Sequence, residues 1–323
     1  LQLDNGLGLV VSAAALSTDG AWLFTGNDSG MIHVWDATSG APIKQIAPPA
    51  GAADAGDEPV IPPQAITDIT VLPDGETLLA VTGSGAFYRI NYRSDSYVRA
   101  YEGGHTRAIN SVRINADGTR ALTASADTTA ILWDVESGEI LMTLSGHRTS
   151  VINALFDPRT PDSALTVERN GTLIQWDLST GNDVQRTVLG LTAVALDVSA
   201  DGRLLAVGGT RGALQLWTLA ETPQAAPTLT LTFSGLNEET IVRTLVFSPS
   251  GEWVASAGTD EAIALWNTAN GDRFQLFTGH TRDITDMALN APGTRLMSAS
   301  RDGTARLWDL TSAAIVRDFI GHT

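Results

Sequence analysis

Apolar and polar residues alternate along this chain in short runs separated by turn-forming residues, and the same figure returns from one end to the other. Residues 104–144 show it best. Residues 109–114 (Ile-Asn-Ser-Val-Arg-Ile) alternate, Ala116-Asp117-Gly118 turns the chain, 121–125 returns it, 130–133 runs out to Trp133, and 140–144 closes the unit. Period-two alternation over runs this short is the periodicity of a half-buried strand, and Asp-Gly is a hairpin turn pair. The pattern predicts an antiparallel meander of four strands. Equivalent turns stand at Asp19-Gly20, Asp74-Gly75, Asp201-Gly202, Ser250-Gly251 and Pro292-Gly293. A helical reading would bury these glycines in helix interiors at about 1 kcal/mol each.

A strand ending in Trp recurs at Trp35, Trp133, Trp176, Trp217, Trp266 and Trp308, with a degenerate equivalent at Ile90. The successive spacings of 55, 43, 43, 41, 49 and 42 residues sit near the period of a four-stranded propeller blade. The units run 6–46, 65–101, 104–144, 146–188, 191–233, 240–277 and 279–320. A Pro-, Ala-, Gly- and Asp-rich segment, 47–64, reads as an inserted surface loop and accounts for the longest spacing. A smaller insertion over 221–227 and a longer connection over 235–239 account for the 49. The repeat phase resumes after each, so neither is a domain linker, and the expected architecture is all-β: one seven-bladed β-propeller.

Gly104-His105 followed by Trp133-Asp134, Gly146-His147 by Trp176-Asp177, and Gly279-His280 by Trp308-Asp309 resemble the WD-repeat (β-transducin-like) family over essentially the whole chain. The resemblance implies a hydrogen-bonded chain in each blade, from the strand Trp through a Ser or Thr and the Gly-His histidine to a turn Asp. Its matching residues are complete in two units: Trp133, Thr123, His105 and Asp127, and Trp308, Ser298, His280 and Asp302. In a third, Asn170 stands at the Asp position beside Trp176, Thr166 and His147. The sixth unit keeps Trp266, Ser256 and Asp260 without a Gly-His; Ser29 and Arg211 replace the Asp in units one and five, and unit two lacks both Trp and His. Blade two is therefore expected to be the least rigid, and its inserted loop the most mobile segment.

Aligning unit one on unit seven places Leu1–Leu3 over an outer strand, while the chain ends on Gly321-His322-Thr323, the opening of another repeat. Leu1–Leu3 and Ile315–Ile320 are thus two candidates for one outer strand, and the expectation is a segment of a longer chain with further domains.

Composition narrows the function. Thirty-six acidic residues against 20 basic give a net charge of −16, a field that repels a phosphate backbone and disfavours nucleic acid as a partner. No apolar run reaches the eighteen residues of a membrane span. The absence of cysteine removes disulfides, thiolate metal sites and cysteine nucleophiles, and leaves the compartment open, with the cytoplasm favoured. Of five histidines, four belong to Gly-His pairs, and His33, alone on its strand, is expected at a surface or edge. No histidine pair has chelating spacing, and Asp54, Asp57 and Glu58 lack the alternation of a calcium loop. Gly208 to Gly212 reads as a hairpin, since no helix follows it as a phosphate loop requires. Asn27 and Asn170 fit the glycosylation pattern by chance, both lying in inter-strand turns. No cofactor or metal is expected, and no enzymatic activity.

In such a meander the turn between strands two and three and the connection into strand one fall on the same edge. Arg107, Arg148 and Arg282 lie on the entry, and Arg169, Arg211 and Arg301 at the turn, so six of nineteen arginines share one rim of an acidic protein. Two readings are open: bidentate recognition of acidic or phosphorylated protein segments, or solvated side chains bridging to neighbouring acids such as Asp283. The favoured function is a non-catalytic protein-interaction scaffold or sensing module. The alternatives are a structural subunit of a large complex, marked by apolar patches on one face, and a hydrolase using channel carboxylates.

Overall fold

The computed structural model describes residues 9–47, 65–94 and 96–321, and the account below concerns these. They form seven antiparallel sheets, each of four strands consecutive in sequence, with no helix. The blades span 11–46, 66–101, 109–144, 151–188, 193–232, 242–278 and 284–320. In blade three the strands are Ile109–Ile114, Arg120–Ser125, Ala130–Asp134 and Ile140–Leu144, innermost to outermost. The insertion, 48–64, and Leu1–Leu3 lie outside the described residues. The outer strand of blade seven is Ala314–Ile320, paired with Thr304–Asp309.

Burial follows position in the blade. The two middle strands are buried on both faces, because each blade packs against its two neighbours, and they read as near-continuous apolar runs. Outermost strands are largely exposed. The large apolar residues with free surface, such as Leu141, Phe274 and Ile320, lie on the outermost strands of six different blades and so ring the perimeter.

The core is a set of seven clusters, and several span a seam. One unites Leu79 and Phe87 of blade two with Val112 and Trp133 of blade three; another joins Met297 and Phe319 of blade seven to Val11 and Trp35 of blade one. Five of the blade tryptophans are 2% exposed or less. Each removes roughly 200 Å² from water, worth about 5 kcal/mol of transfer free energy. Blade two has Ile90 in place of the Trp, packed toward blade one beside Tyr92 and Phe24, whose rings lie 4.6 Å apart; on its other face Phe87 stacks on Tyr101 at 4.2 Å against Trp133, and the Tyr101 hydroxyl donates to the Val135 carbonyl at 2.7 Å. Turn chemistry is also local: Gly118 sits at φ +72°, with Pro73 of blade two packed where a side chain would lie.

Candidate functional site

In blade three the Trp133 Nε1–H donates to Thr123 Oγ1 at 2.8 Å, His105 Nε2 lies 2.8 Å from the same oxygen, and His105 Nδ1 lies 2.9 Å from Asp127 Oδ2. Indole is only a donor, so Thr123 accepts from it and turns its own proton to His105 Nε2. The imidazole proton then sits on Nδ1, facing the carboxylate. Blade seven repeats the arrangement through Trp308, Ser298, His280 and Asp302 at 2.8, 2.7 and 2.8 Å. Asp127 and Asp302 also accept the backbone N–H of Thr106 and Thr281, which ties the turn to the entry loop of the same blade. Both histidine side chains are fully buried. Burial pushes the His105 pKa down against the pull of Asp127. Asp302 is held below the ordinary carboxylate range, because hydrogen bonds from His280 and Thr304 overcome the upward push of burial.

Blade four departs from the expected chain. Trp176 and His147 meet Thr166 at 2.8 Å each, but Asn170 does not reach His147; its Oδ1 accepts from Thr172 N on the exposed turn. The amide is too far out on the turn, and its place is divided. His147 Nδ1 faces the Thr128 carbonyl of blade three at 3.2 Å, and Glu168 Oε1 accepts the backbone N–H groups of Arg148 and Thr149. Glu168 is completely buried. With a carbonyl in place of a carboxylate against it, His147 is pushed down to about 4, mainly by burial. Sequence reasoning missed Glu168, whose only signal is an acid two residues before the turn Asn.

His33 corrects another expectation. It is 4% exposed, stacked on Trp35 with ring centroids 5.8 Å apart, and burial lowers its pKa. Blade one thus fills the space beside its Trp–Thr25 bond from within the strand, with Asn27 Nδ2 3.5 Å from His33 Nε2. Asn27, fully buried, is no surface acceptor for a glycan. In blade five Val207 replaces the Ser or Thr, and Trp217 donates to Gln215 Oε1 at 3.0 Å.

These bonds position the loops that carry the six arginines. Arg107, Arg148, Arg169, Arg211, Arg282 and Arg301 are all exposed, on entry loops and turns that open to the same side of the ring. Arg301 reaches Asp283 and Arg211 reaches Glu238, each at 3.7 Å. Among the described residues, no carboxylate lies within ion-pair distance of Arg107, Arg148, Arg169 or Arg282. A concavity beside the channel mouth is lined by Asn110, Ile152, Arg169, Ala193 and Val194.

Below this face, the innermost strands are stitched to one another across every seam. Ser12 Oγ donates to Ile66 O, Thr67 Oγ1 to Ile109 O, Asn110 Nδ2 to Val151 O and Asn153 Nδ2 to Leu196 O. Asp197 accepts from Phe247 N, and Arg243 donates to Asp283. Thr285 donates to Val11 O and Asp286 accepts from Ala14 N, closing blade seven on blade one. Asp68 accepts from Val112 N and from Arg113 Nη1 at 2.5 Å. Three carboxylates therefore converge on the channel. Burial pushes Asp197 up to about 6, while burial and the Asp68 carboxylate hold Asp286 well above its ordinary range. Each acid is engaged by backbone N–H groups of its neighbours, and among the described residues no group of three or more acids or histidines is arranged to hold a metal.

Among known proteins, the WD domain, G-beta repeat family model matches residues 6–36, 95–134, 227–267 and 271–309. The matches cover the inner three strands of blades one, three, six and seven and pass over the corresponding strands of blades two, four and five. The chain is 29% identical over 137 residues to the chromatin assembly factor 1 subunit FAS2 homolog of Oryza sativa subsp. japonica, covering 40% of this chain and 27% of that protein. It is 37% identical over 68 residues to periodic tryptophan protein 2 of Arabidopsis thaliana, covering 21% of this chain and 8% of that one. Both likenesses thus span well under a third of the relative. Among the described residues no helix is long and apolar enough to cross a membrane. Four matched WD domain, G-beta repeats and seven four-stranded blades around one channel make the chain a seven-bladed β-propeller that carries WD repeats.

Proposed function

We propose that this propeller is a non-catalytic interaction module whose arginine-bearing face binds acidic or phosphorylated segments of protein partners. The observation that carries this reading is four exposed guanidiniums, on Arg107, Arg148, Arg169 and Arg282, with no carboxylate of the described residues against them. A guanidinium offers a planar fork that matches carboxylate and phosphate oxygens in pairs. The loops beneath them are tied down by His105, His147 and Glu168, so little ordering entropy opposes binding. An overall charge of −16 sets these arginines as a local exception that distinguishes an acidic peptide from bulk attraction. The names of the relatives, one a subunit of an assembly factor, agree with a protein-binding role.

Arg301 and Arg211 belong to the bridging reading, since each has an acid of the chain within reach. The channel acids support a structural role over a hydrolytic one: all three accept backbone N–H groups, and the histidines of the two complete blades are committed to Thr123 and Ser298. The test is the double charge reversal Arg107→Glu/Arg282→Glu on the full-length protein. Its affinity-purified partners should be lost or reduced at least tenfold, and more so at low salt. Unchanged partner composition would reject the arginine face.

A further inference from the structure

The channel holds a second feature, independent of the arginine face. At mid-height it widens into a cavity of about 100 Å³, whose walls include Asp68, Ser111, Asn153, Thr244 and Asp286 from five different blades. Its charges are unevenly matched. Asp68 has the Arg113 guanidinium against it, and Arg243, at the upper mouth, is held by Asp283. Asp286 has only neutral donors: the N–H groups of Ala14 and Met287 at 2.9 and 2.8 Å, and the Thr244 hydroxyl at 3.4 Å. Two more oxygens of this cavity lack any donor from the protein. Ser111, 3% exposed, has no partner at Oγ, and Asn153 spends its amide N–H on the Leu196 carbonyl and leaves Oδ1 unpaired.

A buried carboxylate with no cation bonded to it, its nearest guanidinium, on Arg113, being spent on Asp68, is costly beside unpaired neutral oxygens unless something cationic joins them. Water would satisfy the neutral oxygens and leave the charge. We propose that this layer binds one monovalent cation of potassium or ammonium size, with Asp286 as its charged ligand and Ser111 Oγ, Asn153 Oδ1 and Thr244 Oγ1 as neutral ones. A single positive charge matches the one carboxylate of this layer that has no guanidinium bonded to it, Asp197 lining only the lower part of the channel. The volume exceeds that of one water several-fold, enough for an ion carrying part of its hydration shell.

A proton is the competitor. Asp286 is held above its ordinary range by burial and by Asp68, while Arg113 draws it down; Asp197 below and the Arg243–Asp283 pair above complete its charged surroundings. Cation affinity should therefore fall about tenfold per pH unit once Asp286 begins to protonate.

The experiment follows the urea unfolding midpoint of the whole chain at mildly alkaline pH, replacing choline by potassium, ammonium or methylammonium at constant ionic strength. A saturable rise with potassium and ammonium is expected, absent in Asp286→Asn, whose side-chain oxygen still accepts from Ala14 N. Methylammonium separates a bare ion from an amine headgroup: a response to it alone assigns the site to organic ammonium and overturns the potassium-sized ion. Ser111→Ala should shift saturation several-fold to higher concentration, which keeps the proposal falsifiable should Asp286→Asn not fold. Crystals grown in rubidium should show an anomalous peak beside Asp286. Equal midpoints in choline and potassium, or the same response in Asp286→Asn, would overturn the site.

Discussion

Gly104 sits where the Trp133 indole passes over the backbone. A Cβ at this position would lie 2.5 Å from Cη2 and 2.8 Å from Cζ2 of that ring. Carbon contacts settle near 3.5–4.0 Å, so in Gly104→Ala the indole must retreat by about 1 Å. It has nowhere to go. Trp133 is 1% exposed, meets Phe87 and Tyr101 edge-on at 5.3 and 5.7 Å, and is fixed by the 2.8 Å bond to Thr123. A retreat on that scale takes the bond beyond hydrogen-bonding distance. Overpacking costs about 1–3 kcal/mol and the lost bond about 0.5–1.5, against about 0.4–1 regained from the stiffer unfolded chain. The net loss is about 2–3 kcal/mol, or roughly 3–4 °C in Tm for a domain of this size. Gly104 has no left-handed backbone, so the steric clash acts alone. Gly83 is the matched control: it too lacks positive φ, and a Cβ there meets nothing closer than 3.9 Å. Urea titrations followed by tryptophan fluorescence should separate the two alanine variants. A Gly104→Ala protein within about 0.5 kcal/mol of wild type, or a Gly83→Ala loss of equal size, would refute the argument.

Thr123→Val deletes the oxygen shared by Trp133 and His105 and should cost about 2–4 kcal/mol, read as a lower urea midpoint, because two buried groups lose their partner together. His147, pushed down to about 4, should remain neutral in NMR titration through mildly acidic pH. The unfolded chain takes up that proton near pH 6.5, so this residue makes stability fall as pH drops from about 6.5 towards 4. Asp302, also lowered in the fold, contributes stability above the ordinary carboxylate pKa and loses it below about pH 4; Asp302→Asn should flatten the acid limb of the stability curve.

The repeat was legible because propeller geometry writes itself locally. Alternation, turn glycines and the Gly-His and Trp-Asp pairs each reflect a contact within one blade, as the Gly104–Trp133 approach shows. What stayed hidden depends on neighbours. His33 reads as an edge residue until the adjacent blade covers its strand, and Glu168 takes over from Asn170 because its carboxylate, two residues back at the strand end, meets the Arg148 and Thr149 amides. The polar residues of the innermost strands, such as Asn110 and Thr285, looked like the solvent side of an alternation. They lie at the channel, where each meets the next blade's carbonyl. Separating bridged from unpaired arginines likewise required Asp283 and Glu238 to be located in space.

The seam bonds lie at the smallest radius of the ring, between innermost strands, whereas the outermost strands of adjacent blades share no sheet. Strain applied to such a disc is not spread evenly with distance from its axis. Thermal opening or a wedge pushed in from the perimeter would spread two blades like leaves of a fan, pivoting about bonds such as Thr285–Val11 while the axle stays closed. A partner gripping the circumference could thus flex the protein substantially and leave the channel, and whatever occupies it, undisturbed.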